Sequence, residues 1–154
     1  METGDSYKHV FGYACAILAR RRYSSNELRK KLLKRYRTQA EPIEQVISRL
    51  MELRYVNDLE YTNLFIDDQL RRKPQGIRLL RQKLAQKGIP EELIHESFRA
   101  KGLDEVALAT RAIQKKLKTL QGVSGQKKVE KIYRFLGSRG FSTGTITRVL
   151  KSDD

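Results

Sequence analysis

Apolar residues recur along this chain at helical spacing, and nowhere do they alternate with polar ones over a useful length, so the pattern predicts helices and no strands. The first apolar face runs from about Tyr7 to Arg22 through Val10, Ala14, Ile17 and Leu18. Ser24 and Glu27 form an S-x-x-E box that opens a second helix carrying Leu28 and Leu32 and ending near Arg35 or Tyr36. Pro42 suits the first turn of a third, whose Ile43, Val46, Ile47 and Leu50 fall at i, i+3, i+4 and i+7. Asn57 with Glu60 caps a fourth helix, through Tyr61, Leu64 and Phe65, that stops before Pro74. Ile77, Leu80 and Leu84 make a fifth that ends at Gly88, and Pro90 starts a short sixth with Leu93, Ile94 and Phe98, closed by Gly102. Asp104 caps a seventh with Val106, Ala109, Ile113 and Leu117. After a turn at 121–125 come an eighth, with Val129, Ile132, Tyr133 and Leu136, and a ninth, capped by Ser142 or Thr143, with Ile146, Val149 and Leu150.

Three of these helices share a signature. Leu28-Arg29-Lys30-Lys31-Leu32, Leu80-Arg81-Gln82-Lys83-Leu84 and Ile132-Tyr133-Arg134-Phe135-Leu136 start at positions 28, 80 and 132, a constant step of 52, and Arg35, Lys87 and Arg139 keep the same step. A fixed period means one supersecondary unit used repeatedly, each burying part of its apolar face against its neighbours. The expected fold is therefore all-α: three tandem three-helix, helix-turn-helix-like repeats over 1–56, 57–103 and 104–154 in an elongated, curved array, tightly joined at Val56-Asn57-Asp58 and Leu103-Asp104-Glu105. Such a shape favours a binding surface over a pocket built around one catalytic centre.

Charge sharpens this. The 154 residues carry 32 Lys and Arg against 18 acids, a net +14, beyond the 2–8 typical of a small soluble domain. The excess is shared by all three segments, so it belongs to a folded surface that attracts polyanions, either nucleic acid or an acidic protein. No apolar run is long enough to span a bilayer, Met1-Glu2-Thr3-Gly4-Asp5 does not read as a secretory signal, and the lone Cys15 fits a reducing cytoplasm.

Candidates for chemistry are few. His9 and His95 stand apart from any set with metal-ligand spacing. Asp67-Asp68 and Glu91-Glu92 are adjacent pairs, which diverge by about 100° on a helix. There is no phosphate-binding glycine loop and no nucleophile elbow, and Cys15 sits among Tyr13, Ala14, Ala16 and Ile17 as a packed thiol. The reading is of a non-enzyme with no cofactor and no metal. The basic clusters are richer. Arg20–Arg22 and Arg71–Lys73 fall where cations complement a helix C-terminus, but that effect does not account for bases through the middle of each second helix. Arg29, Lys30, Lys34, Arg35, Arg71, Arg72, Lys73, Arg78, Arg81, Lys83, Lys87, Lys131, Arg134 and Arg139 are the expected binding residues, forming a repeating cationic stripe.

Arg54-Tyr55-Val56-Asn57-Asp58, followed by Tyr61 and Leu64-Phe65, resembles the Gly-Tyr-Leu-Asp-Asp segment of the RecX family, bacterial regulators of the RecA recombinase. Leu70-Arg71-Arg72-Lys73-Pro74-Gln75-Gly76-Ile77 to Leu84-Ala85-Gln86-Lys87-Gly88-Ile89 resembles the family's Gly-x-x-x-Ile-x-x-x-Leu-x-x-Lys-Gly-Ile segment. Ser24-Ser25-Asn26-Glu27-Leu28-Arg29 and Lys131–Leu136 with Arg139-Gly140-Phe141-Ser142 are similar to its first and third units. The chain departs from the pattern at Arg54, where the family has Gly, at Val56-Asn57 in place of Leu-Asp, and at Arg37-Thr38-Gln39-Ala40, which lacks the glycine that Gly88 and Gly140 supply. The resemblance implies a non-catalytic protein that occupies the groove of the RecA–DNA filament, and the expected state of the chain is a monomer. It would suppress ATP hydrolysis, strand exchange and the coprotease activity behind the SOS response. The alternative from the residues alone is a helical-repeat protein that binds single- or double-stranded DNA directly with little sequence specificity. Neither reading involves a membrane.

Overall fold

Side-chain oxygens start the helices where the sequence places them. Ser24 accepts from the Glu27 N–H at 3.1 Å while Glu27 accepts from the Ser24 N–H at 3.2 Å, a complete capping box. Asn57, Asp104 and Ser142 each accept from the N–H three residues on. In this computed structural model, which describes residues 2–152, nine helices follow one another: α1 (Glu2–Leu18), α2 (Ser25–Arg35), α3 (Ala40–Glu52), α4 (Asp58–Arg72), α5 (Ile77–Gln86), α6 (Glu91–Lys101), α7 (Glu105–Thr119), α8 (Gly125–Ser138) and α9 (Thr143–Ser152). Met1, Asp153 and Asp154 lie outside the described residues, so the N-terminal reading falls partly on a residue with no structural account. None of the helices is long and apolar enough to cross a membrane.

One expectation is corrected. α1 ends at Leu18 and not at Arg22, and its last turn carries no basic residue. The chain tightens there, with the Arg20 N–H donating to the Ile17 carbonyl at 3.1 Å, because Tyr23 turns inward and is buried. Arg21 covers the Tyr23 ring at 3.7 Å, so helix-dipole compensation does not explain Arg20–Arg22.

Packing between helices is concentrated within the triplets α1–α3, α4–α6 and α7–α9, and each triplet has its own core. Ile43, Val46, Ile47 and Leu50 of α3 are all buried against Val10, Ala14, Leu28 and Leu32. Leu80, Leu84 and Ile94 fill the second core, and Ile132, Leu136 and Phe141 the third. Three small cores leave much surface. The accessible area is 10222 Å², whereas a compact monomer of this mass would expose about 8000 Å². The units form an extended array.

The units meet through a joint that is used twice, and the period of 52 is visible in its atoms. At the first joint the Ser24 hydroxyl donates to the Lys87 carbonyl at 3.1 Å. At the second the Gly76 N–H donates to the Arg139 carbonyl at 2.8 Å, and both partners are displaced by 52 residues. The acid at the first position of the following unit's first helix completes each joint. The Ser25 N–H donates to Asp58 at 2.7 Å, and the Ile77 N–H donates to Glu105 at 3.1 Å. Free N–H groups at the start of α2 and α5 are thus satisfied by the next unit. Gly88 and Gly140 are needed because a neighbouring unit presses on the turns they form. Tyr36 stands at the matching position of the first unit, where the backbone is not left-handed, so no glycine is required there.

Two predictions arise here. Glu27 lies between the Ser24 N–H and the Lys87 ammonium, 2.9 Å away. Burial alone would raise its pKa, but the bonds from Lys87 and Ser24 outweigh that and hold it below its ordinary value of 4.5. A depressed carboxylate stabilises the fold above its unfolded pKa and loses that contribution as pH falls through the folded one. Stability therefore declines below about pH 4.5, and Glu27→Gln flattens this decline in thermal melts recorded from pH 6 to 3.

The second concerns Arg54, the only non-glycine residue with positive φ among those described, at +60°. It is the left-handed residue that ends α3, where the Tyr55 N–H returns to the Leu50 carbonyl at 2.9 Å. Glycine takes this conformation without strain, whereas an L side chain costs roughly 1–2 kcal/mol. Arg54→Gly is expected to raise unfolding stability by about 0.5–1 kcal/mol in urea titrations, the gain reduced by the added freedom of the unfolded chain.

Candidate functional site

α4 runs out at Arg72 because Pro74 cannot continue it, and Lys73 ends it in an extended conformation. The segment that follows is held from inside. Gln75 is buried and donates to the Gln69 and Lys73 carbonyls, while the Lys83 ammonium donates to the side-chain oxygens of Gln69 and Gln75 at 2.7 and 2.8 Å. Burial, and then the charge of Lys73, hold Lys83 below the ordinary lysine range. This network fixes one wall of a cleft between the second and third units. The opposite wall is the polar face of α7, with Arg111, Lys115 and Lys116, and Phe135 of α8 with Arg139 just past its end closes it.

The cleft measures about 670 Å³ and is lined by Arg71, Arg72, Lys73, Arg111, Lys115, Lys116 and Arg139, with no acidic residue on its wall. Arg71 pairs with Asp68 at 3.0 Å, outside the lining. The other six make no ion pair among the described residues. Phe135 is half-buried, with the Arg139 guanidinium 4.9 Å from its ring centre and the Lys116 ammonium at 5.5 Å. Burial lowers the Arg139 pKa from its ordinary value, yet a guanidinium keeps its charge. Seven cations around one concavity concentrate positive potential, and its relief is a polyanion laid along the cleft.

Of the residues expected from sequence, the structure brings Arg71, Arg72, Lys73 and Arg139 together here. The rest of the stripe is dispersed. Arg29 makes a bidentate pair with Glu44, Arg81 pairs with Glu91, and Arg35 covers the Tyr13 ring at 4.5 Å. Arg78 donates to the Gly137 carbonyl at 2.8 Å and Lys87 reaches Glu27, so both hold joints, while Lys83 holds the cleft wall. Lys30, Lys34, Lys131 and Arg134 are exposed along α2 and α8. Arg111, Lys115 and Lys116 are not among the binding residues expected from sequence, and the structure adds them. Their signal was present: after Glu105, α7 carries four bases and no acid.

Models of the RecX third three-helix domain and of the RecX second three-helix domain match residues 104–150 and 57–97. The regulatory protein RecX of Chlorobaculum tepidum is 36% identical over 139 residues, 90% of this chain and 84% of that protein. That of Prosthecochloris aestuarii is 35% identical over 150 residues, 97% of this chain and 96% of the relative. The crystal structure of RecX from Lactobacillus salivarius superposes with a TM-score of 0.88 over 97% of both chains at 20% identity, which establishes the shared fold. Relatives of this similarity along almost the whole chain, with two matching domain models, leave one assignment: the chain belongs to the RecX family of regulatory proteins.

Proposed function

We propose that this protein is a cytoplasmic, monomeric negative regulator of RecA that lies in the groove of the RecA–DNA filament and restrains its ATPase, recombinase and coprotease activities in DNA repair and the SOS response. The observation that carries the reading is the acid-free cationic cleft between the second and third units of a RecX-family chain. A filament is a repeating anionic ligand, and an extended array with jointed units suits contact with more than one of its subunits. Several modest contacts then act together only on the assembled polymer. The protein contributes shape and charge, and no covalent step is needed.

The cleft also supports a second reading, direct DNA binding with little sequence specificity, because its Lys and Arg residues suit phosphate contacts, which carry no sequence information. ATP hydrolysis by RecA on single-stranded DNA separates the two. Inhibition is expected with this protein well below the RecA concentration and without competition for bare DNA. Unchanged hydrolysis, alongside tight and salt-sensitive binding to naked DNA, would overturn the regulatory reading in favour of the second.

A further inference from the structure

Three helices end in the same cap, in which the third residue past the helix end donates its N–H back to the carbonyl five residues earlier. The bonds run from Tyr55 to Leu50, from Ile89 to Leu84 and from Phe141 to Leu136. The side chain after such a cap ordinarily packs against the helix it closes, and Ile89 and Phe141 do so at 4% and 1% exposure. Tyr55 is 67% exposed. Its backbone is fixed as firmly as theirs, and the residue before it is the strained Arg54. Strain of this kind persists where the surroundings impose it, and such positions cluster at binding sites.

Tyr55 also divides two concavities of opposite character. One, of about 540 Å³, is apolar and lined by Phe11, Cys15, Leu18, Ala19 and Leu53. The other, of about 200 Å³, is polar and holds Arg22 and Arg54 against a single acid, Glu60. Both arginines are exposed and make no ion pair among the described residues. A ligand that fits both sides needs a flat apolar part and an adjacent anion, and a nucleotide unit of a single strand has both. We infer that Tyr55 is a stacking platform for a base of single-stranded nucleic acid, with the base over the apolar groove and its flanking phosphate between Arg22 and Arg54. Duplex DNA cannot use it, since its bases are already stacked and paired. The site would add preference for single strands to a protein whose cleft recognises charge alone.

Binding to naked strands tests this without RecA, so its failure leaves the regulatory proposal standing. Fluorescence anisotropy of the full chain with labelled oligothymidylate, and with an abasic strand of equal length, is expected to show tighter binding to the base-bearing strand. Tyr55→Ala should remove about tenfold of that affinity and leave the abasic strand unaffected. Tyr55→Phe keeps the ring and the affinity. Tyr55→Leu keeps apolar bulk and loses the affinity. Cys15, the single cysteine, lines the groove and reports occupancy: oligothymidylate should slow its reaction with a maleimide, and the abasic strand should not. Full affinity in Tyr55→Leu would mark the groove as a site for an apolar protein segment and overturn the proposal. So would equal losses on both strands, or an unprotected Cys15.

Discussion

Gly140→Ala lowers the unfolding free energy by about 3 kcal/mol, a large part of the roughly 5–15 kcal/mol by which a domain is stable. Two causes add. Gly140 sits at φ +84°, where an L side chain costs roughly 1–2 kcal/mol. A Cβ there would also run into the Cβ and backbone of Leu79, a contact between units with no flexible end to swing aside, and overpacking of this kind costs about 1–3 kcal/mol. Gly102 separates the causes. Its φ is +54° and nothing lies within 4 Å of an added Cβ, so Gly102→Ala should cost only the conformational part, about 1–2 kcal/mol. Gly76 isolates the other: its φ is ordinary, but a Cβ would collide with the Gly140 carbonyl and the Phe141 nitrogen. Urea titrations of the three variants decide the matter. Equal losses in Gly102→Ala and Gly140→Ala would mean that the joint is loose and contributes little.

That joint also accounts for what the sequence made legible. The three triplets, most helix starts and the second-helix repeat could be read from capping residues and apolar periodicity, because those patterns are set within one unit. The missing glycine in the first unit departs from the pattern, and its reason is conformational: Tyr36 ends α2 at a negative φ, whereas Gly88 and Gly140 are left-handed. The cationic residues divide in the same way. Periodicity pointed to bases on α2, α5 and α8 as one stripe, but a period cannot say that Lys87 faces Glu27, that Lys83 points inward to Gln75, or that Arg29 is held by Glu44. The cleft arises where α4 ends against α7, and only the packing of consecutive units brings Arg72 and Arg111 to one cavity.

Cleft and stripe differ in what charge removal does. Arg72, Arg111 and Lys115 are exposed, and their side chains make no hydrogen bond or ion pair among the described residues, so the triple change to Gln should leave the melting temperature nearly unaltered. If each contacts a phosphate, the slope of log affinity against log salt becomes shallower by about 0.7 per residue on single strands and about 0.9 on duplex. Three such contacts amount to roughly 100-fold in affinity at about 0.15 M salt. The matched control is Lys30, Lys34 and Lys131 changed together to Gln, which removes the same net charge from exposed positions of the stripe. Lowering net charge weakens long-range attraction in both variants alike, so any difference between them reflects contact. A large loss of slope and of RecA inhibition in the cleft variant, with a small one in the control, is the expected result. The reverse pattern would move the binding surface to the second helices, and equal small effects would mean that the anion is held elsewhere.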